Sequence, residues 1–309
     1  MRPHYMRWEK LEERLDLRLE ALEVVRENRC CWIFRGETKG EAVIIKQYKQ
    51  GLYEGCVQEA RAIECYGEAC AGISGVLPSR VVSVNAHTGT LCISYIRGEL
   101  LSTTLRRTPR GATRSGVLDA LENVGRLLAR LRERTASARP PSAFLEEYLL
   151  YASARLGSLP LLGTTLFSEF PRDAERLFEE LCDAGELSSL SHGDLVLANM
   201  IFDGRRIGLI DFAHANLDGH VLDDVYSLWV TLETLWYAPS SLRSDMMSAV
   251  RQGIGSLEHD YRAHRFFWEY HRRRWLAIHV SGTLVRRLKF LWALPRLVHP
   301  SRLPGLVPA

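Results

Sequence analysis

Between Leu190 and Leu228 the chain reads LSHGDLVLANMIFDGRRIGLIDFAHANLDGHVLDDVYSL, where three polar clusters interrupt apolar, strand-like runs. His192-Gly193-Asp194 is followed by Asn199. Met200-Ile201-Phe202, a turn at Asp203-Gly204 and the run Ile207 to Ile210 then lead into Asp211-Phe212. A strand, a tight turn and a second strand form a hairpin, which returns its two ends to one edge. Asn199 and Asp211 should therefore converge, with Asp194 nearby. Such a set of Asp, Asn and Asp suits Mg²⁺, a hard cation that takes oxygen ligands and keeps part of its sphere for water and substrate phosphates. The third acid can orient and deprotonate an attacking hydroxyl. Charge neutralisation plus one such base is what phosphoryl transfer needs, and Asp194 fits the base. The plain alternative, an Asp-rich hairpin held by Asx turns, does not account for several polar residues at these separations together.

The pattern H-G-D-x-x-x-x-N followed by D-F resembles the catalytic loop and metal-binding segment of the aminoglycoside phosphotransferase and choline kinase branch of the protein-kinase-like superfamily. The resemblance implies Asp194 as catalytic base, Asn199 and Asp211 as magnesium ligands, and His192 as a brace of the loop. Asp224, in Asp224-Val225-Tyr226-Ser227, resembles the buried acid that holds the catalytic loop by its backbone amides. In the N-terminal half, Ala42-Val43-Ile44-Ile45-Lys46 resembles the strand whose lysine contacts the α- and β-phosphates of ATP. Gln58-Glu59-Ala60-Arg61 resembles the start of the helix that follows, which favours Glu59 as the partner of Lys46, with Glu64 second. Leu91 to Gly98, LCISYIRG, resembles the strand and hinge joining two lobes.

One departure lies at Val25 to Cys31, VRENRCC, which has no glycine where protein kinases carry G-x-G-x-x-G, so the phosphate clamp is unassigned. Gly193 stands where regulated protein kinases have the Arg that receives an activation-loop phosphate. Only twelve residues separate Asp211 from Asp224, too few for a peptide-docking segment. The resemblance thus implies a bilobal α+β fold, with a small, mainly antiparallel β N-lobe and a larger helical C-lobe. It further implies ATP and Mg²⁺ as cofactors and an acceptor hydroxyl on a small molecule or glycan. Amino sugars, choline-like alcohols, sugars, nucleosides and lipopolysaccharide-core sugars are the candidate acceptors. Two readings come from other classes: a pseudokinase that binds nucleotide or a partner without turnover, and a nucleic-acid binder. The presence of Lys46, Asp194, Asn199 and Asp211 together argues against the first. A net acidic body with no recognised binding module argues against the second, so no nucleic-acid partner is expected.

The elements that must position these residues can be read from periodicity. Cys30 to Gly36 and Glu41 to Tyr48 flank Glu37-Thr38-Lys39-Gly40 as a hairpin, and Arg80 to Asn85 and Leu91 to Arg97 flank His87-Thr88-Gly89-Thr90 as another. Val57 to Gly67, between them, has helical spacing. From Gly116 onward, Val117, Leu121, Val124, Leu128 and Leu131 recur at three- and four-residue steps and make one apolar stripe. Ser102 to Ser115, polar and basic with Pro109 and Gly111, reads as a mobile connection, and Pro140-Pro141 breaks the next stretch. The boundary then falls at Tyr95 to Gly98, with residues 1–97 as nucleotide-binding lobe and 98–309 as catalytic and substrate lobe.

The 309 residues, 46% hydrophobic and 25% charged, have an ordinary globular composition with length for a sizeable core. Met1 to Glu20 has no uninterrupted apolar stretch of the secretory kind and no segment reaches about 18 consecutive apolar residues, so a cytoplasmic chain is expected. Seven cysteines without a C-x-x-C pair read as reduced thiols. The net charge of +3 hides an asymmetry, because residues 262–302 carry ten Arg or Lys against Glu269 alone. That segment also holds Phe266, Phe267, Trp268, Tyr270, Trp275, Phe290 and Trp292, and in helical projection Leu284, Leu288, Leu291 and Trp292 share one face with Arg286 and Lys289 opposite. Interleaved aromatic and basic residues fit the headgroups of an anionic membrane, which gives a peripheral contact at its inner face. The competing expectation is that these are the last helices of the C-lobe, apolar side inward and arginines in water, ended by Pro295, Pro300, Pro304 and Pro308.

Overall fold

The computed structural model describes residues 8–107, 113–137, 143–160, 162–185, 188–255, 261–280 and 283–298. Pro109, Gly111, Pro140, Pro141, Pro300, Pro304 and Pro308 lie outside the described residues. A first helix, α1 (Trp8–Leu15), precedes three antiparallel strands, β1 (Ala21–Glu27), β2 (Cys31–Thr38) and β3 (Glu41–Tyr48). The β2–β3 turn places Lys39 at φ 52° and Gly40 at φ 74°, the left-handed pair of a type I′ turn, whose twist matches that of the strands it joins. Helix α2 (Tyr53–Cys70) follows, then β4 (Val76–Leu77), β5 (Val81–Asn85) and β6 (Thr90–Ser94). The five-stranded sheet has the order β1-β2-β3-β6-β5.

Alternation along β3 decides what each face does. Val43 and Ile45 pack with Leu11, Leu15, Phe34 and Cys92 in a small core under α1. Lys46 and Tyr48 therefore point the other way, toward α2. Val25 to Cys31 is not a phosphate loop throughout, since β1 runs to Glu27 and leaves only Asn28-Arg29-Cys30 as the turn. The Asn28 side chain accepts the amides of Cys30 (2.8 Å) and Cys31 (2.7 Å), an Asx turn that dispenses with glycine.

Tyr95 to Gly98 leaves the large sheet and enters a second, four-stranded sheet ordered β4-β10-β9-β7, with β7 (Glu99–Leu100), β9 (Met200–Phe202) and β10 (Ile207–Leu209). Gly98 has φ 143°, and a Cβ there would sit 2.6 Å from the carbonyl oxygen of Phe202, so the strap passes too close to β9 for a side chain. Directly after β7 comes α3 (Leu101–Arg107); the expected connection over Ser102–Ser115 is therefore helical in its first half, its Leu101 and Leu105 buried. Local polarity had obscured two anchoring leucines a turn apart.

The remainder is helical: α4 (Thr113–Thr135), α5 (Ala143–Gly157), α6 (Leu162–Thr165), α7 (Phe170–Asp183), α8 (Val221–Glu233), α9 (Ser240–Ile254), α10 (Tyr261–Val280) and α11 (Leu284–Val298). A two-stranded ribbon, β8 (Ser189–Ser191) with β11 (Asn216–Gly219), is set among them. The α4 stripe of Val117, Leu121, Val124, Leu128 and Leu131 is buried against this core, as its spacing requires.

The basic aromatic segment divides. On α10, Phe266, Phe267, Trp268 and Tyr270 are core residues, and so are Arg272 and Arg273. Their aromatic rings are not available to headgroups, which removes the main argument for a membrane contact there. On α11 the projected face divides: Leu284, Leu288 and Leu291 are exposed, Trp292 is half-buried against the core, and Phe290, Ala293 and Leu297 pack inward. Both earlier expectations fail in part, because arginines of α10 are inside and leucines of α11 outside. Pro295 does not stop α11 but lies within it. No described helix is long and apolar enough to cross a membrane.

Candidate active site

Lys46 sits near the end of β3 on the α2 face, 4% exposed. Its Nζ donates to Glu59 Oε1 at 2.6 Å and to Asp211 Oδ1 at 2.8 Å. Glu59 is fully buried on α2 and accepts a second hydrogen bond from the Tyr48 hydroxyl. Glu64 is exposed and takes no part. Burial disfavours the Lys46 charge, but the carboxylates of Glu59 and Asp211 outweigh it and hold the pKa above the usual lysine range. Burial likewise opposes ionisation of Asp211, and Lys46 reverses that, keeping the carboxyl below its usual value.

The second half of the site is the segment from β8 to α8. After β8, His192-Gly193-Asp194 turns into a 3₁₀ turn, Leu197–Asn199, which opens the β9–β10 hairpin. Asp203 caps its far end by accepting the amides of Arg205 (2.9 Å) and Arg206 (2.6 Å). The Ile210 amide donates to the Asn199 carbonyl at 3.0 Å, so the two ends of the hairpin do meet at one edge. Asp211 follows with φ 65°, a left-handed conformation uncommon for a residue with a Cβ, which aims its carboxylate at Lys46 and leaves the side chain 47% exposed.

Asn199 Nδ2 bonds both the Asp194 carbonyl (2.8 Å) and Asp194 Oδ2 (3.1 Å). Two acceptors can be served only by the NH₂ end, which fixes the amide orientation and turns Oδ1 away from Asp194. Asp224, fully buried on α8, accepts the backbone amides of His192 (2.7 Å) and Gly193 (3.0 Å) and the Tyr66 hydroxyl (3.2 Å). Burial and the adjacent Asp223 push its carboxyl well up, while the three donors pull toward the carboxylate. His192 is fully buried, and its Nε2 meets the Ile210 carbonyl at 3.0 Å; a carbonyl only accepts, so Nε2 carries the proton. Burial lowers the imidazole pKa to about 4, and the ring is neutral at physiological pH. It packs on Phe212 with centroids 4.6 Å apart and edge-on to Tyr66 of α2 at 6.1 Å. Gly193 has φ 73°, and a Cβ would lie 2.1 Å from the His214 carbonyl oxygen, so no larger residue fits that crossing.

One further residue enters the site that sequence reading had assigned to the basic segment. Arg274 of α10 reaches back 80 positions: Nη1 donates to the Gly193 carbonyl at 3.1 Å, and Nη2 lies 3.5 Å from Asp194 Oδ1. Its guanidinium lies over the Tyr148 ring of α5 at 5.7 Å. The three consecutive arginines 272–274 look alike in sequence, but successive helical residues point about 100° apart, and only the third faces the loop.

Lys46, Glu59, Asp211, Asn199, Asp194 and Asp224 are thus brought together from a sheet, two helices and the loop and hairpin between β8 and Asp211, with His192 under them. A buried lysine bridged to two acids, beside a loop carboxylate, is the arrangement of a protein-kinase-like phosphotransferase. Residues 33–276 match the phosphotransferase enzyme family (APH), and the chain belongs to that family. No curated protein matches the sequence. Among solved structures, the aminoglycoside phosphotransferase APH(4)-Ia is similar with TM-score 0.59 and 15% identity, over 94% of this chain and 95% of that one. The streptomycin-ATP-APH(2")-IIa ternary complex gives 0.53 and 14% over 94% of each chain. A choline/ethanolamine kinase family protein from Mesorhizobium loti gives 0.56 and 15%, over 90% of this chain and 86% of that one. At these identities the structures share the fold.

Proposed function

We propose that this enzyme transfers the γ-phosphate of ATP to a hydroxyl of a small molecule or glycan, with Mg²⁺ held by Asn199 and Asp211. One observation carries the reading: the buried Lys46 ammonium is bonded at once to Glu59 and, 165 positions away, to Asp211. Burying one lysine against two acids is costly for a core and useful where phosphates must be met. In this reading residues 1–97 form the nucleotide lobe and 98–309 the catalytic and substrate lobe, with the hinge at Tyr95–Gly98.

The donor set fits a hard divalent cation. Asn199 keeps Oδ1 free of Asp194, and Asp211 offers Oδ2 on a half-exposed side chain. When bound, the ion would neutralise and orient the β- and γ-phosphates. Glu59 holds Lys46 toward the α- and β-phosphates. Asp194 takes the proton of the acceptor hydroxyl as that oxygen attacks the γ-phosphorus, and the bond to the leaving ADP oxygen breaks. Asn199 keeps the Asp194 carboxylate in place, and Asp224 fixes the loop through the amides of His192 and Gly193. Between Asp211 and α8 the chain makes one 3₁₀ turn (Phe212–His214) and β11, which leaves no platform for a peptide and supports a compact acceptor. The structural relative solved with streptomycin and ATP supports the same pairing of nucleotide and small acceptor.

Millimolar Mg-ATP is expected to raise the melting temperature by several degrees, since a ligand at about 100 times its Kd adds about 2.7 kcal/mol to the folded state. Lys46→Met is expected to shrink that ligand-induced shift, measured against its own apo protein by differential scanning fluorimetry. If neither ATP, ADP nor GTP shifts the wild-type transition, the nucleotide reading is wrong.

Contact with an anionic membrane, in this reading, falls to α11 alone, where Leu284, Val285, Leu288 and Leu291 are 73%, 60%, 58% and 59% exposed beside Arg286, Arg287 and Lys289. The protein is expected to co-sediment with anionic but not neutral vesicles, and less so in high salt or as Leu288→Glu. Wild-type protein left in the supernatant with anionic vesicles at low salt removes the contact.

A further inference from the structure

Phosphoryl transfer places charge on the equatorial oxygens of the group in flight, and catalysis requires fixed positive charge beside them. The catalytic loop itself, Asp194-Leu195-Val196-Leu197-Ala198-Asn199, contains no basic residue. Lys46 is engaged by Glu59 and Asp211. Among the described residues, a cation that reaches the reacting edge of the loop comes from α10. Arg274 lies 3.5 Å from the carboxylate that would receive the acceptor proton, with 22% of its side chain open to solvent.

We propose that Arg274 is a catalytic residue, the cation that neutralises the transferring phosphoryl group; this rests on the phosphotransfer reading above. A guanidinium has five N–H donors. One nitrogen is spent on the Gly193 carbonyl, another faces Asp194, and the Tyr270 hydroxyl also meets the guanidinium, which together orient its plane; five N–H groups outnumber these three partners and leave donors for oxygens bound next to that carboxylate. The Tyr148 ring at 5.7 Å supports one face of the guanidinium, so the side chain is already ordered before any ligand arrives. Ordering in advance is what makes such a charge effective, because no reorganisation is needed as the transition state forms. The bland alternative is that Arg274 only ties α10 to the loop. Its neighbours weaken that view: α10 is already tied to the elements around it by Arg272 to α11, Arg273 to α5 and α7, and His271 to Asp223 of α8.

The decisive experiment measures transfer of labelled γ-phosphate from Mg-ATP to water and to a panel of amino sugars, polyols, nucleosides and glycolipids. Wild type, Arg274→Ala, Arg274→Lys and Asp211→Ala are compared. Arg274→Ala is expected to lose about 10²- to 10³-fold in kcat, the usual cost of removing one preorganised donor, with KM for ATP and melting temperature little changed. Added guanidinium ion is expected to restore part of that rate, and Arg274→Lys to retain more activity than Arg274→Ala. An Arg274→Ala enzyme within threefold of wild-type kcat sinks the proposal while leaving the phosphotransferase reading intact. A loss of kcat that comes with a lower melting temperature and no guanidinium rescue also overturns it, in favour of a structural tie. Wild type no more active than Asp211→Ala on water and every acceptor would overturn both readings together.

Discussion

An Asp194→Ala enzyme is expected to lose phosphate transfer by about 10²- to 10⁴-fold, the range that a positioned general base contributes, while its thermal transition stays where it was. The separation follows from where the side chain sits. Asp194 is 34% exposed, and its partners are Asn199 and Arg274, both at the cleft and neither dependent on it for packing. Asp224→Ala provides the contrast. That carboxylate is fully buried and holds two backbone amides of the same loop, so its removal should lower stability and activity together. Steady-state transfer assays paired with melting curves for both variants check this. An Asp194→Ala protein that turns over at the wild-type rate would remove it as the base, and one that fails to fold would show the loop to be structural.

The largest effect on stability should come from Arg273→Ala, one residue before the proposed catalytic arginine. Arg273 is fully buried, and its guanidinium bonds Glu269 (3.0 Å), Asp173 (2.8 Å), the Ser153 hydroxyl (2.9 Å) and the Phe170 carbonyl (2.8 Å), while its plane lies 4.1 Å from the centre of the Phe170 ring. It thereby fastens α10 to α5 and α7. Cutting it away leaves Glu269, itself 9% exposed, with less compensation for its charge and strands a hydroxyl and a carbonyl in the interior. Removing one partner of a buried pair costs about 3–5 kcal/mol. At about 2–4 °C per kcal/mol the melting temperature should fall by about 6–20 °C. Calorimetry of Arg273→Ala beside Arg274→Ala tests the assignment of the two neighbours: the first should melt early, the second should not. A fall of under about 2 °C for Arg273→Ala would show that the interior tolerates the loss and that the network contributes little.

Much of the geometry of the candidate site was legible locally because it is encoded locally. The spacing of His192, Asp194, Asn199 and Asp211 fits one loop and one hairpin, and a hairpin brings its own ends together whatever surrounds it. The same holds for the β2–β3 turn, where Lys39 and Gly40 accept left-handed backbone, and for the α4 stripe, whose period alone names the buried face. The misreadings share a different cause. Val25 to Glu27 belongs to the edge strand β1, with Val25 as a bulge between the paired Val24 and Arg26, but its residues are all exposed and carry no alternation to announce it. Ser102–Arg107 looked like a connection because its polar residues outnumber its one leucine, Leu105, and the other anchor, Leu101, lies just before it.

The sequence by itself determined the class of protein, since the motif from His192 to Asp224 lies within one short stretch of chain and repeats the family's spacing. It also determined the alternation on β3 that sends Lys46 and Val43 to opposite faces. Only the tertiary structure decided which acid meets Lys46, because Glu59 and Glu64 occupy one helix and differ only in which neighbours surround them. Only it decided the fates of Arg272, Arg273 and Arg274, one to the α11 carboxyl end and Glu269, one to the core and one to the cleft. Charge counted along a chain is blind to direction; rotation of about 100° per residue, together with the helices packed on each side, assigns three identical side chains to three different tasks.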